Sequence, residues 1–243
     1  MRDEVTSNYF STTASRSREL NDAYYSQASK KLGGIPWVRP WLPENRDTPV
    51  LDLGCGCGEF LYALEHRGYS NLRGVDACKE EVDQGARFTS AALAHGDVLD
   101  FVRNCPSGSL GLVTAFNLLE HLEDDKLLAL LQEVQRVLAP GATLIAMVPN
   151  AVSPLASIPR YWDITHQRAF TGNNFVQLAA VTGFGPRVDM MECGPVPHGL
   201  KSAARFAAWQ IVRTVVATML IIEVANTKGR VYTMDMMVRM HRP

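Results

Sequence analysis

Three glycines at alternate positions follow a short aliphatic run near residue 50. Val50–Leu53 is strand-like in composition, and Gly54, Gly56 and Gly58 come directly after it. Glycine permits a tight turn and lets backbone amides approach a ligand closely. Asp76 ends the next strand-like run about twenty residues on, where a carboxylate suits the ribose diol of a βαβ nucleotide site. The spacing predicts a nucleotide-type ligand at this turn.

Position 59 separates two classes of nucleotide site. The nicotinamide dinucleotide fingerprint requires a third glycine at this position, where the chain has Glu59. The pattern Asp-x-Gly-x-Gly-x-Gly, which begins at Asp52, instead resembles the first motif of class I S-adenosylmethionine (SAM) methyltransferases. The resemblance implies SAM as the methyl donor.

Strand-like and helix-like segments alternate from Val50 onward, which predicts a parallel sheet covered on both faces. The resemblance implies an α/β fold with the Rossmann-like seven-stranded sheet of class I methyltransferases. We divide the chain into an N-terminal helical cap (1–48), a SAM-binding core (49–194), a helical insertion between strands six and seven (195–228) and a final antiparallel strand (229–243).

The same resemblance assigns cofactor contacts to the carboxyl ends of the first four strands. Asp97 followed by an apolar residue resembles the position that contacts adenine in this family. The alternative for Asp97 is a loop acid that caps the next helical turn. The predicted cofactor-binding residues are Asp52, Gly54, Cys55, Gly56, Asp76, Ala77, Asp97, Val98, Phe116 and Asn117.

The sulfonium of SAM already activates the methyl group, so the protein must align the acceptor and remove its proton. Two histidines are predicted as the catalytic base. His121 follows predicted strand four, and its alternative role is a structural hydrogen bond. His166 lies in a loop past predicted strand five, where Asp163 and Arg168 are placed to orient it or to bind an anionic substrate. His198 is a further substrate-binding candidate.

A metal ion is the alternative to a histidine base. Glu120, His121 and Asp124 could hold a divalent cation that acidifies a hydroxyl. Their spacing alone is weak, and the pair Cys55-x-Cys57 has no second Cys/His pair at ligand spacing, so no metal is predicted. The five cysteines suggest cytosolic thiols rather than a disulfide framework.

The segment Asp163–Thr171 has the spacing Asp-x-Thr-His-x-Arg-x-Phe-Thr. It resembles methyltransferases of bacterial polysaccharide (lipopolysaccharide or capsule) biosynthesis. The resemblance implies O-methylation of a sugar hydroxyl on a glycan or glycolipid precursor. A small phenolic or quinone-like acceptor is the alternative, because 117–122 also resembles such enzymes. A non-catalytic SAM-binding subunit is the alternative from another class.

The charge balance and the apolar stretches of the chain indicate which partners to expect. Lys and Arg number 24 against 25 Asp and Glu, so no nucleic-acid partner is expected. The polar N-terminus predicts a cytoplasmic protein, and no apolar run is expected to span a membrane. The stretch 201–225 has a broad apolar face with Lys201, Arg205 and Arg213 along one stripe. It predicts a homodimer, a substrate-pocket wall or peripheral contact with the inner membrane face, whereas Gln210 and Arg213 argue against a transmembrane span.

Overall fold

The computed structural model describes residues 20–225 and 230–243. The first part of the predicted cap and the end of the predicted insertion therefore lie outside the described residues. Everything below concerns the described ranges.

The fold centres on one seven-stranded sheet with the strand order β3-β2-β1-β4-β5-β7-β6. The strands are β1 Val50–Leu53, β2 Leu72–Asp76, β3 Ala92–His95, β4 Leu110–Phe116, β5 Leu138–Pro149, β6 Val188–Glu192 and β7 Asp235–His241. Strands β1 to β5 run parallel, and β7 pairs antiparallel with both β5 and β6. This architecture confirms the predicted seven-stranded fold.

Eight α-helices connect and cover the described strands. They are α1 Asp22–Lys30, α2 Glu59–Glu65, α3 Lys79–Gly85, α4 Val98–Arg103, α5 Asp124–Val137, α6 Ser157–Trp162, α7 Gly172–Thr182 and α8 Leu200–Val224. Short 3-10 turns occupy Pro36–Trp41 and Leu119–His121.

Strand β5 begins earlier than the sequence pattern indicates. The pattern places its start at residue 142, after a turn at Pro140 and Gly141, but Leu138 already pairs with Leu110. Gly141 has a φ of +77°, and the register shifts between Leu138 and Thr143. The turn is therefore an irregularity inside the strand, because a glycine can adopt left-handed backbone without leaving the sheet.

The sheet is buried on both faces, as expected of parallel strands. All four residues of β1 are buried. Helix α5 supplies the principal apolar stripe on one face, at the 3.6-residue spacing of an amphipathic helix. The buried members of this stripe are Leu127, Leu130, Leu131, Val134 and Val137.

The N-terminal helix packs against the glycine turn. Tyr25 is fully buried, and its hydroxyl donates to the Cys57 carbonyl at 2.6 Å. Tyr24 donates to Glu59 Oε1 at 2.8 Å. Helix α1 thus holds the turn after β1 from outside, and the division of the chain into a cap and a core stays a prediction.

Helix α8 differs from the other helices because most of its surface is exposed. Arg213 anchors it through Glu192, with Nε 3.1 Å from the carboxylate oxygens. By length and composition, Leu200–Glu223 could cross a membrane, and the expectation from Gln210 and Arg213 that it does not span one stays a prediction. The sequence argument counted two polar residues, whereas the mean hydropathy over the helix remains high.

Candidate active site

The turn between β1 and α2 is shaped by left-handed backbone. Gly54, Gly56 and Gly58 have φ values of +68°, +52° and +73°. A Cβ added at Gly54 would lie 3.2 Å from Leu118 Cδ1, so the turn touches the segment after β4. A larger residue at Gly54 would therefore be strained and would displace Leu118.

Asp76 organises the turn through its carboxylate. Its Oδ2 accepts from the Gly56 amide and its Oδ1 accepts from the Cys78 amide, both at 2.8 Å. A carboxylate has about four lone-pair positions, so two remain for a ligand. Ala77 lies exposed beside it. This arrangement fits the predicted ribose diol.

Asp52 is buried beneath the glycine turn. Its side chain accepts from Thr114 Oγ1 at 2.6 Å and joins β1 to β4. Burial raises the pKa of Asp52 to about 7, although the Thr114 hydrogen bond lowers it. The structure shows this inter-strand hydrogen bond, and a direct contact with the cofactor stays a prediction.

Asp97 caps helix α4. Its Oδ1 accepts from the amides of Leu99 and Asp100, and its Oδ2 contacts Lys126 Nζ. Burial opposes ionisation of Asp97, but the hydrogen bonds from Lys126 and Asp100 lower its pKa overall. The capping alternative is thus observed, and contact of Asp97 and the buried Val98 with adenine stays a prediction.

The end of β4 presents two predicted cofactor residues at the sheet edge. The Phe116 ring meets the Phe60 ring edge-on, with centroids 4.9 Å apart. Asn117 has a φ of +53° and donates its amide to the Met147 carbonyl at 2.9 Å. Left-handed backbone at a non-glycine residue is uncommon and occurs at functional turns.

The two predicted catalytic histidines lie together. The ring centroids of His121 and His166 are 4.6 Å apart in an edge-on arrangement. His121 comes from the 3-10 turn after β4, and His166 comes from the loop between α6 and α7. Because β4 and β5 are adjacent and parallel, the segments after them meet at the carboxyl edge of the sheet.

Hydrogen bonds define which nitrogen of each ring carries the proton. His166 Nδ1 lies 2.6 Å from the Pro159 carbonyl, which can only accept, so Nδ1 is the donor. Thr165 Oγ1 donates to Asp163 Oδ1 at 2.6 Å, so it accepts from His121 Nδ1 at 2.7 Å. In the neutral His166 ring the lone pair therefore lies on Nε2. The His121 ring also forms a hydrogen bond with the Asn117 backbone.

Glu120 lies in the same cluster. It is 0% exposed, and neither carboxylate oxygen has a hydrogen-bond partner among the described residues. Burial raises the pKa of Glu120 to about 8, and the negative charges of Asp235 and Asp163 raise it further. Burial, followed by the charge of His166, lowers the pKa of His121 to about 4, so that ring stays neutral at pH 7.

The predicted substrate residues are distributed more widely. Asp163 joins the cluster through Thr165, as described above. Arg168 instead contacts Asp124 Oδ1 and donates to the Leu122 carbonyl at 2.9 Å. His198 is exposed before α8, with Nδ1 2.9 Å from the Val196 carbonyl. The prediction that Arg168 orients His166 is not what the structure shows, because the guanidinium is engaged by α5.

The structure groups a different third residue with Glu120 and His121 than the metal alternative from the sequence did. Asp124 has a side chain that is 80% exposed and paired with Arg168. One donor atom from each of Glu120, His121 and His166 lies within 4.8 Å of the others. His166 thus takes the position that the sequence argument gave to Asp124.

Sequence reasoning missed two residues that support this site. Thr165 links Asp163 to His121, and Arg160 donates to the carbonyls of His166 and Gln167 at 2.7 and 2.8 Å. Thr165 lies inside the Asp-x-Thr-His pattern, which could have identified it. No sequence signal identifies Arg160, since its partners are backbone atoms.

Comparisons with known proteins agree with this fold and turn. Residues 50–141 match the family model described as a methyltransferase domain. Ajmaline N-methyltransferase of Rauvolfia serpentina is 29% identical over 112 residues, which cover 43% of this chain and 37% of that protein. The match thus spans little more than a third of that relative's length.

Two solved structures share the fold. A SAM-dependent methyltransferase from Archaeoglobus fulgidus has a TM-score of 0.64 at 18% identity, covering 90% of this chain and 100% of that one. Geranyl diphosphate C-methyltransferase from Streptomyces coelicolor, solved with Mg²⁺, geranyl diphosphate and S-adenosyl-L-homocysteine, has a TM-score of 0.65 at 14% identity. Its match covers 100% of this chain and 98% of that one.

The sheet order and the glycine turn are those of the class I SAM-dependent methyltransferase fold, and residues 50–141 match the methyltransferase domain model. The prediction of SAM as cofactor is confirmed at the level of this class. The names of the three relatives include N- and C-methylation and no glycan acceptor. The predicted O-methylation of a glycan is therefore taken up as a proposal.

Proposed function

We propose that this chain transfers the methyl group of SAM to a sugar hydroxyl on a glycan or glycolipid precursor. The observation that carries the proposal is the pair His121 and His166, whose Nδ1 atoms both donate to protein acceptors. A weakly acidic hydroxyl needs a base or an electrophile at the acceptor position. The pair lies past the adjacent parallel strands β4 and β5, and Leu118 of the segment after β4 lies next to Gly54 of the glycine turn.

The chemistry requires little else from the protein. The acceptor oxygen attacks the methyl carbon, the carbon–sulfur bond breaks, and its electron pair stays on sulfur to give S-adenosyl-L-homocysteine. The residues of this chain orient the acceptor, exclude water and receive the hydroxyl proton. We assign that proton to Nε2 of His166, because the Pro159 carbonyl holds the ring in the tautomer that leaves Nε2 as acceptor.

An acceptor larger than a phenol is supported by the surroundings of His166. Tyr161, Trp162 and Ile164 precede it and are 75%, 80% and 83% exposed. Aromatic side chains that protrude beside a site suit sugar rings or the headgroup level of a lipid surface. A compact phenolic substrate would favour an enclosed apolar pocket instead.

The acceptor is tested by transfer of radiolabelled methyl from SAM to a panel of lipid-linked and nucleotide-linked sugars, with catechols and hydroxyquinones alongside. We expect label in the sugar compounds, released by acid treatment that cleaves the glycan. Label in the phenolic compounds alone would replace the glycan acceptor. SAM binding with no turnover on either set would favour a non-catalytic subunit.

Helix α8 supports a peripheral membrane contact for the same reaction. Ile211, Val215, Met219 and Ile222 recur at helical spacing on one face of the helix and are all exposed.

 The exposed fractions of these four side chains are 69%, 54%, 65% and 80%, in that order. Lys201 and Arg205 lie at the amino-terminal end of the same face, where anionic headgroups or the pyrophosphate of a lipid carrier would be attracted. We therefore propose that the chain works at the cytoplasmic face of the inner membrane.

Flotation with anionic liposomes tests this contact. We expect the wild type to float and the double variant Ile211→Glu/Ile222→Glu to stay in solution. Val181→Glu is the matched control, because Val181 is 62% exposed on α7 and lies outside the α8 face. A dimer by light scattering that ignores liposomes would replace the membrane with a second copy of the chain. A monomer that ignores them would leave α8 as a pocket wall.

A further inference from the structure

We propose that Glu120, His121 and His166 together bind one divalent transition-metal ion, whose open positions take the acceptor hydroxyl. The catalytic role of the ion rests on the proposed function, whereas its binding does not. The cluster joins two segments that are 45 positions apart in the chain at His121 and His166. It therefore exists only in the folded protein.

The donor set is the first observation. Each of the three residues offers one ligand atom, and these atoms lie within 4.8 Å of one another. Two imidazoles and one carboxylate are a common ligand set for divalent first-row ions that keep open coordination positions. A ligand separation of this size is compatible with metal bonds of about 2.0–2.2 Å after small side-chain movements.

Glu120 is the second, independent observation. Its side chain is 0% exposed, and both carboxylate oxygens have no hydrogen-bond partner among the described residues. An ionised carboxylate buried without a partner is unfavourable, and buried acids are normally paired or bound to a metal. A cation between Glu120 and the two rings would supply the missing partner.

The surroundings of the two rings resemble those of metal-binding histidines. Such histidines usually donate their second ring nitrogen to a carbonyl or a carboxylate, which holds the ring in place. His166 donates Nδ1 to the Pro159 carbonyl, and His121 donates Nδ1 to Thr165, which in turn donates to Asp163. The ligating atom of His166 would be Nε2. An ion would also compete with the hydrogen bond between the His121 ring and the Asn117 backbone.

The donor types predict the order of metal preference. Imidazole nitrogen favours transition metals, whereas Mg²⁺ prefers oxygen ligands. We expect Zn²⁺ to bind more tightly than Mn²⁺, and Mg²⁺ to bind most weakly. Bound at this place, the ion would acidify the acceptor hydroxyl. With the ion bound, Nε2 of His166 would be a ligand and would not act as the base, so the hydroxyl proton would leave to water. The oxygen–methyl bond would form, and the carbon–sulfur bond would break with its electron pair remaining on sulfur.

The test counts bound ions in the full chain after treatment with a chelator and desalting. Mn²⁺ is the probe, because its free form gives an electron paramagnetic resonance signal and it binds thiols weakly. We expect about one ion per chain in the wild type. Glu120→Gln and His166→Gln should each weaken binding by about tenfold or more. His66→Gln is the matched control, since His66 is an exposed histidine at the end of α2.

Two further measurements keep the test independent of folding and of turnover. Calorimetric titration with SAM shows whether each variant retains its cofactor site. Thermal unfolding should show a rise in Tm with Mn²⁺ in the wild type that is absent from Glu120→Gln. If Glu120→Gln loses SAM binding as well, metal binding is judged from His166→Gln. His166 is only half-buried, so its substitution should disturb the fold less.

The outcomes separate this inference from the proposed function. No Mn²⁺ binding, or binding that both variants leave unchanged, overturns the metal site even where sugar methylation persists. Tighter binding of Mg²⁺ than of Mn²⁺ also overturns it, because the imidazoles would then not be ligands. Binding as expected, with no sugar methylated, supports the metal site while the proposed acceptor fails.

Discussion

Two buried carboxyl groups lie on the two sides of the candidate site, and they differ in how they are satisfied. Asp52, beneath the glycine turn, accepts a 2.6 Å hydrogen bond from Thr114. Glu120, beneath the histidine pair, is equally buried but has no partner among the described residues. The buried carboxyl group on the cofactor side is therefore hydrogen-bonded within the protein, whereas the buried carboxyl group on the acceptor side has no hydrogen-bond partner among the described residues.

The difference follows from how each side is assembled. The cofactor side consists of one turn and the adjacent strand end, joined by the hydrogen bonds of Asp76 to Gly56 and Cys78. The acceptor side joins the turn after β4 to a loop after α6. Buried polar groups without partners are rare outside functional sites. The four predictions below test this contrast from the largest expected effect to the smallest.

The largest effect is expected at His166. We expect His166→Ala to lower kcat by roughly a hundredfold while the affinity for SAM stays unchanged, because the ring lies on the acceptor side. Steady-state kinetics and calorimetry give the two readouts. Unchanged kinetics in this variant, together with a large loss in His121→Ala, would transfer the role of base to His121.

The next prediction concerns Asp52 and pH. Its folded-state pKa of about 7 lies above the unfolded value of 3.8, so its contribution to stability is greatest below about pH 4 and is lost as the pH rises through 7. Asp52→Asn keeps an oxygen to accept from Thr114 and does not titrate. The free energy of unfolding of the wild type should therefore fall by about 3 kcal/mol relative to the variant between pH 5 and 8.

Chemical denaturation of both proteins across this pH range measures the difference. Taking the difference between the two proteins cancels the contributions of other titrating groups to the pH dependence of stability. One of these groups is His121, whose lowered pKa of about 4 makes stability rise with pH between 4 and 6.5. Parallel curves for wild type and variant would show that Asp52 is ionised in the folded protein at neutral pH.

Asp76 should affect the cofactor alone. We expect Asp76→Ala to weaken SAM binding about tenfold, because the ribose diol and the Gly56 amide both lose an acceptor. Asp100→Ala is the control, since Asp100 is an exposed acid on the nearby helix α4. Calorimetry that shows equal SAM affinity in Asp76→Ala and the wild type would reject the ribose assignment.

Thr165 should have the smallest effect. Thr165→Val keeps the shape of the side chain but removes the acceptor for His121 Nδ1, so we expect a few-fold loss in kcat. Thr165→Ser should restore the rate, because the hydroxyl returns. A merely structural role would instead lower the melting temperature of Thr165→Val without changing the pH profile of kcat.

The acceptor loop shows which features the sequence predicted and which it did not. The pattern around Asp163 and His166 identified a loop past the fifth strand, and the structure brings His166 beside His121 as a pair. The same reasoning gave Arg168 to this pair, but its guanidinium is engaged by Asp124 and Leu122. Sequence spacing indicates which loop a residue belongs to and does not indicate which way a long side chain points.

Local sequence patterns were sufficient to predict the sheet and the glycine turn. Strand periodicity and glycine positions act over a few residues, so β1 spans the predicted Val50–Leu53 and β2 ends at the predicted Asp76. Asp76 was identifiable for the same reason, because it ends a strand at a set distance from the turn.

The composition of the acceptor cluster and the environment of α8 depend on tertiary packing and could not be predicted from local patterns. The proximity of Glu120 to His166 and the missing partner of its carboxylate depend on how two distant segments pack at one edge of the sheet. The exposed face of α8 likewise depends on what the rest of the chain leaves uncovered. Both are long-range properties, because burial and pairing are set by neighbours in space rather than by neighbours in the chain.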